Sequence, residues 1–109
     1  MGFAKDLTTL DRLRINRASQ IKSLEALGGL KNLSQLEIAD AKMLTSLKGV
    51  ESLPKLSLLE ITGAPQLVDL QPLETMTSLV YLNLYRCKNI DRTELDALRS
   101  KLPSVRIEF

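Results

Sequence analysis

The residues in this chain whose types could do chemistry are few, and the most suggestive are two glutamates, Glu37 and Glu60, spaced 23 residues apart. Paired carboxylates carry out glycoside hydrolysis, one as acid and the other as base or nucleophile. Cys87 is the single thiol, flanked by Arg86 and Lys88, and positive neighbours are what lower a thiol pKa. Histidine is absent from the sequence. That excludes the Ser-His-Asp and Cys-His nucleophile systems and every metal site with a histidine ligand. No G-x-x-x-x-G-K-[ST] run is present, and Gly28, Gly29, Gly49 and Gly63 fall at turns or on the surface. Arg12, Arg14 and Arg17, together with Tyr81 and Tyr85, are the residue types that contact phosphates and stack on bases.

The elements that must position these groups follow from a period. Written in blocks of 23, the apolar residues fall into columns. One column is Leu10, Leu33, Leu56, Leu79 and Leu102; a second is Leu13, Leu36, Leu59, Leu82 and Val105; a third is Ile15, Ile38, Ile61, Leu84 and Ile107. Leu7, Leu30, Leu53 and Met76 form another, as do Ile21, Leu44, Leu67 and Ile90. A small residue recurs at Ala18, Ala41, Ala64 and Cys87, so packing at a tight corner accounts for the thiol. Within each block, L-x-L alternates with the period of a strand that buries one face. The segment after it, such as Lys22 to Gly29, keeps Leu24 and Leu27 three apart, which suits a loose turn and not a long helix. No block buries its apolar edge alone, so the blocks must stack and share one core.

The run L-x-x-L-x-L-x-x-(C/A), repeated from Leu10 to Phe109, resembles the leucine-rich-repeat family, and Leu59 to Met76 is especially similar to the 23-residue repeats of bacterial members. The resemblance implies an α/β repeat solenoid: a short arc with a parallel sheet on its concave side and loops on its convex side. It also implies a protein-binding module. Many members place Asn at the turn, where this chain has Ala18, Ala41, Ala64 and Cys87, so a ladder of side-chain hydrogen bonds is expected to be missing there. The expected organisation is one domain over 1–109, with repeats near 7–29, 30–52, 53–75 and 76–101 and a last strand over 104–108.

The last block is built differently. Asp91 followed by Glu94 reads as a helix N-terminus with a capping box, and Leu95, Leu98 and Leu102 mark its apolar stripe up to Pro103. This predicts a helix of about two turns, the one true helix of the convex side. At the other end, Met1 and Ala4 correspond in register to Leu24 and Leu27, and Phe3 is placed to fold over the first block. The first strand, near Arg12 to Asn16, is predicted to be a sheet edge, and Arg12 and Arg14 discourage pairing there. Two readings follow: a fragment of a longer array, or an open end that meets a partner.

Composition agrees with leucine packing: apolar residues are 44% of the 109, aromatics 4%. The charges, 15 basic and 13 acidic, are interspersed with a net of +2, which gives no basic field for nucleic acid or membrane. A lone cysteine and the absence of a signal-length or membrane-length apolar run point to a cytoplasmic chain.

Side chains alternating with the core leucines define the candidate surface. Its middle column reads Arg14, Glu37, Glu60, Asn83 and Arg106. On one side lie Arg12, Gln35, Leu58, Tyr81 and Ser104; on the other, Asn16, Ala39, Thr62, Tyr85 and Glu108; beyond them, Arg17, Asp40, Gly63, Arg86 and Phe109. An open face of this kind excludes little water, so it gives no means of holding one glutamate protonated and the glycosidase chemistry is set aside. The same glutamates repel phosphate. The expectation is recognition of a protein or peptide by Leu58, Tyr81 and Tyr85, oriented by Arg14, Glu37, Glu60 and Arg86, with Arg12 and Asn83 also on the binding surface. No catalytic residue, cofactor or metal is assigned. The rival readings are a structural segment that self-assembles through its N-terminal edge, and part of a larger receptor, effector or immunity-type protein.

Overall fold

The computed structural model describes residues 9–109. Five strands, β1 (Arg12–Ile15), β2 (Gln35–Ala39), β3 (Leu58–Thr62), β4 (Tyr81–Asn83) and β5 (Arg106–Glu108), form one sheet in that order, every neighbouring pair parallel. Alternation sets the faces: Leu36, Ile38, Leu59, Ile61 and Leu82 are sealed inside, while Gln35, Glu37, Leu58, Glu60, Tyr81 and Asn83 stand half-exposed on the other side. From β1 to β4 the register advances by the sequence period of 23, pairing Leu13 with Leu36, Leu36 with Leu59, and Leu59 with Leu82.

Parallel neighbours require the chain to cross back behind the sheet. It does so three times through short 3-10 turns, Glu25–Leu27, Val50–Ser52 and Gln71–Thr75. Each approach is shaped by a hydroxyl or carboxylate accepting from an N–H two residues on: Ser23 from Glu25 at 3.5 Å, Ser46 from Lys48 at 3.1 Å, and Asp69 from Gln71 at 3.0 Å. Main-chain bonds tie these back segments together, Leu24 N–H to Lys48 C=O at 2.8 Å and Val68 N–H to Thr45 C=O at 3.2 Å, with a parallel bridge between Ser46 and Asp69. Among the described residues the core between sheet and turns holds only apolar side chains, from Ala18 to Leu102, and no buried polar side chain lacks a partner.

The corner after each strand has a shared geometry. Arg17, Asp40, Gly63 and Arg86 all take positive φ, between +55° and +67°, turning the chain so that Ala18, Ala41, Ala64 and Cys87 drop into the core. The sequence predicts no ladder of side-chain hydrogen bonds here, so other bonds must tie the corners. The main chain supplies them instead: Ala18 N–H donates to Ala39 C=O (3.1 Å), Asp40 N–H to Thr62 C=O (2.9 Å), and Gly63 N–H to Tyr85 C=O (3.0 Å). Cys87 adds one from its thiol to Ile61 C=O at 3.3 Å.

The final crossing departs from the period. Helix α1 (Arg92–Lys101) replaces the 3-10 turn, and it is nearer three turns than two. Asp91 caps it, accepting from Thr93 N–H at 3.0 Å, but Glu94 does not close a capping box. Its carboxylate accepts from Leu70 N–H of the preceding crossing at 3.4 Å, docking the helix on its neighbour. The longer crossing moves the register to 25 residues: Tyr81 pairs with Arg106, Leu82 with Ile107, and Asn83 with Glu108. The last strand therefore begins at Arg106 and not at Ser104, and Val105 leaves the strand column. Leu7, Met1, Phe3 and Ala4 lie outside the described residues. No helix among the described residues is long and apolar enough to cross a membrane.

Candidate binding face

Strand register brings Glu37 directly beside Glu60, as the 23-residue spacing requires. Opposed like charges destabilise a sheet. Each glutamate finds relief on its far side only. Arg14 donates to one oxygen of Glu37 through both Nε (3.2 Å) and Nη2 (3.1 Å). Asn83 Nδ2 donates to Glu60 Oε1 at 3.2 Å. Over the first four strands the row therefore reads Arg14, Glu37, Glu60, Asn83, with a cation on one side of the carboxylates, a neutral amide on the other, and no side chain among the described residues bridging the two. Between them the surface dips into a hollow of about 190 Å³, lined by Arg14, Asn16, Glu37, Ala39, Glu60 and Thr62. Ala39 and Thr62 are small, which keeps the carboxylates reachable.

The fifth member of that row is Glu108, not the predicted Arg106, because of the 25-residue step. Arg106 moves instead beside Tyr81, extending the row Arg12, Gln35, Leu58, Tyr81. A closed cluster results at this end of the sheet: Tyr81 Oη donates to Glu108 Oε1 at 2.9 Å and Arg106 Nη2 to Glu108 Oε2 at 2.9 Å. The phenol hydrogen bond, with help from Arg106, holds the Glu108 carboxyl below the usual carboxylate range. In return, donating to Glu108 raises the Tyr81 phenol, with partial burial in the same direction. Tyr81 is thus a half-buried, fixed side chain, and Leu58 beside it is half-buried too. Tyr85 lies past the end of β4, its N–H donated to Asn83 Oδ1 at 3.0 Å, and the residue is 60% exposed.

The predicted residues therefore separate into four places. Arg14, Glu37, Glu60 and Asn83 form one contiguous row; Leu58 and Tyr81 lie in the adjacent row with Arg12 at its far end; Tyr85 rims the sheet. Arg86 does not join them. It sits at the corner after β4, lining a separate hollow of about 620 Å³ with Asp40, Lys42, Gly63, Pro65, Gln66 and Lys88. Sequence reasoning passed over Lys42 and read Lys88 only as the setting of the thiol. The signal was available in the cations that flank the small-residue column: Arg17 before Ala18, Lys42 after Ala41, and Arg86 and Lys88 around Cys87. The thiol itself is buried, and burial pushes its pKa up, which keeps it protonated and unreactive.

The chain matches no protein-family model and no curated protein. What the structure defines, among the described residues, is a small α/β arrangement with a five-stranded, all-parallel sheet and one α-helix.

Proposed function

We propose that this chain is a leucine-rich-repeat solenoid that works as a protein-binding module, not an enzyme, and that its sheet face receives a basic side chain of a partner protein or peptide between Glu37 and Glu60. The observation that carries the reading is the carboxylate pair. The two are adjacent in register, half-exposed at a dip in the face, and bridged by no cation among the described residues. A lysine or arginine entering the dip removes the repulsion and gains charge-assisted hydrogen bonds from both. Leu58 and Tyr81, half-buried in the adjacent row, and exposed Tyr85 then offer apolar and aromatic surface beside the charged contact. Tyrosine and arginine are the residue types that concentrate binding energy at interfaces.

The reading makes paired demands on free and bound states. Glu60→Gln removes the repulsion, so it stabilises the free chain by a few tenths of a kcal/mol, within the ~0.2–1 kcal/mol scale of cross-strand pairs. The same change weakens a ligand. Panning a displayed peptide library against the wild-type chain is expected to enrich peptides with Lys or Arg next to an apolar residue. Those peptides should lose at least about tenfold in affinity for Glu37→Gln/Glu60→Gln, the equivalent of about 1.4 kcal/mol. Selected peptides that lack a cation, or bind the double variant equally well, refute it.

One observation favours the self-assembly reading. Leu13 and Ile15 of β1 are half-buried, whereas Leu36 and Ile38, one register step on, are sealed. A second copy stacked on the β1 side would cover them. Sedimentation across a concentration series decides it: a dimer or growing oligomer supports assembly, and a concentration-independent monomer removes it.

A further inference from the structure

The corners after the strands carry charge that the other described residues do not pair. Arg17, Lys42, Arg86 and Lys88 are all exposed and form no ion pair among the described residues, in contrast to Arg14 and Arg106 on the sheet face. They are not scattered. Arg17 and Arg86 occupy the same positive-φ station of their corners, and Lys42 and Lys88 each follow the small residue that dips into the core. Two hollows, of about 620 and 440 Å³, run along these corners and meet at Asp40 and Lys42, making one trough from Arg17 to Lys88. Asp40 is the single acid in the lining, set against four cations.

From this arrangement we infer that the trough is a second docking site, and that its occupant is an acidic protein segment in the polyproline II conformation, lying across the corners. Pitch is the argument for that conformation. Adjacent strands are about 4.8 Å apart, so Lys42 and Lys88, two strands apart, are separated along the trough by roughly 10 Å. A polyproline II chain repeats its side-chain direction every three residues, over about 9.3 Å. Carboxylates at every third residue therefore keep step with the two lysines, and prolines between them meet Pro65 of the lining. Charge complementarity selects an anionic partner. The lining holds no aromatic ring on which a base would stack, which favours an acidic peptide over a nucleic acid. The site is separate from the sheet face and stands or falls without it.

The probe is a fluorescein-labelled (Glu-Pro-Pro)4 peptide, titrated with the full chain at low salt and followed by fluorescence anisotropy. A peptide of the same composition with its four glutamates contiguous, and polyuridylate as competitor, complete the set. Saturable binding of the spaced peptide should fall at least about tenfold in Lys42→Glu/Lys88→Glu and stay within about twofold in Lys31→Glu/Lys55→Glu. That second pair makes the same charge change before the strands instead of after them, and both variants are checked for folding by circular dichroism. Glu37→Gln/Glu60→Gln should leave this affinity unchanged, so failure here and failure of the sheet-face reading are told apart. The inference is overturned by absence of saturable binding, by equal loss in the two lysine variants, by equal affinity for the contiguous peptide, or by tighter binding of polyuridylate.

Discussion

Gly49 is the position where a single methyl group should do the most damage outside the core. It holds φ +108° and ψ −26° at the entry to the second 3-10 turn. A Cβ built there would lie 2.4 Å from both Glu25 N and Leu24 C and 2.5 Å from Leu24 O. Those atoms are main chain of the adjacent crossing, so no side-chain rotation relieves the contact. The left-handed region costs an L-residue about 1–2 kcal/mol, and this φ lies well outside its favourable well. Pushing Leu24 away also stretches its 2.8 Å bond to Lys48 C=O. Losing that bond costs about 0.5–1.5 kcal/mol net. Alanine returns about 0.4–1 kcal/mol by stiffening the unfolded chain. The balance for Gly49→Ala, with some repacking around buried Leu24, is a loss of about 3 kcal/mol, a large share of the ~5–15 kcal/mol a domain possesses. Gly63→Ala is the control. Gly63 sits at φ +67°, a conformation that Arg17, Asp40 and Arg86 adopt with side chains in place, and its nearest obstacle is the Asp40 carboxylate at 3.1 Å, free to swing outward. Its loss should be about 1 kcal/mol. Urea denaturation with an unchanged m value measures both. If the two alanine variants fall within about 0.5 kcal/mol of each other, the close approach of the two crossings is not what fixes the glycine.

The end of the sheet and its helix give two further expectations. Asp91→Ala should destabilise by about 1 kcal/mol through the lost cap, whereas Glu94→Ala should chiefly expose the Leu70 amide, read as faster hydrogen exchange at Leu70 than at its neighbours. The Tyr81–Glu108 contact is bounded in pH on both sides. Because the Glu108 pKa is lowered on folding, its contribution is present above the ordinary carboxylate range and lost as pH falls through the lowered value. Because the Tyr81 pKa is raised, its contribution is present below the ordinary phenol range and lost as pH rises through the raised value. Tyr85→Phe leaves Tyr81 as the one tyrosine of the chain, so its phenolate absorbance can be titrated alone. Adding Glu108→Gln should bring that midpoint down, and an unmoved midpoint refutes the hydrogen bond as the cause.

The strands were legible because a buried leucine at every second residue, recurring at a fixed spacing, leaves few choices. Leu36, Leu59 and Leu82 had to face one core, and once they did, Glu37 and Glu60 had to be neighbours. The corners were not legible. Positive φ is advertised by glycine, and of the four corner stations only Gly63 is one; Arg17 and Arg86 are long side chains that give no local hint of that conformation. The basic trough was missed with them, because its cations approach one another through the corner geometry and not through strand alternation.

The last crossing shows why faces were read correctly there and neighbours were not. Helix α1 lengthens the step from 23 to 25 residues, a change of two. Side chains alternate with period two, so a shift of one would have turned β5 inside out, whereas a shift of two keeps every side chain on its own face. Ile107 still points into the core, now against Leu82 where Val105 had been expected. What changes is the company along each row: Glu108 arrives beside Asn83, and Arg106 beside Tyr81. A cation expected to close the acidic row, opposite Arg14, is thereby removed from it. The row instead runs from Arg14 through Glu37, Glu60 and Asn83 to Glu108, an acid held by Tyr81 and Arg106. The longer helix thus keeps a fifth-strand cation out of the row that holds the dip between Glu37 and Glu60, where a partner's basic side chain is proposed to bind.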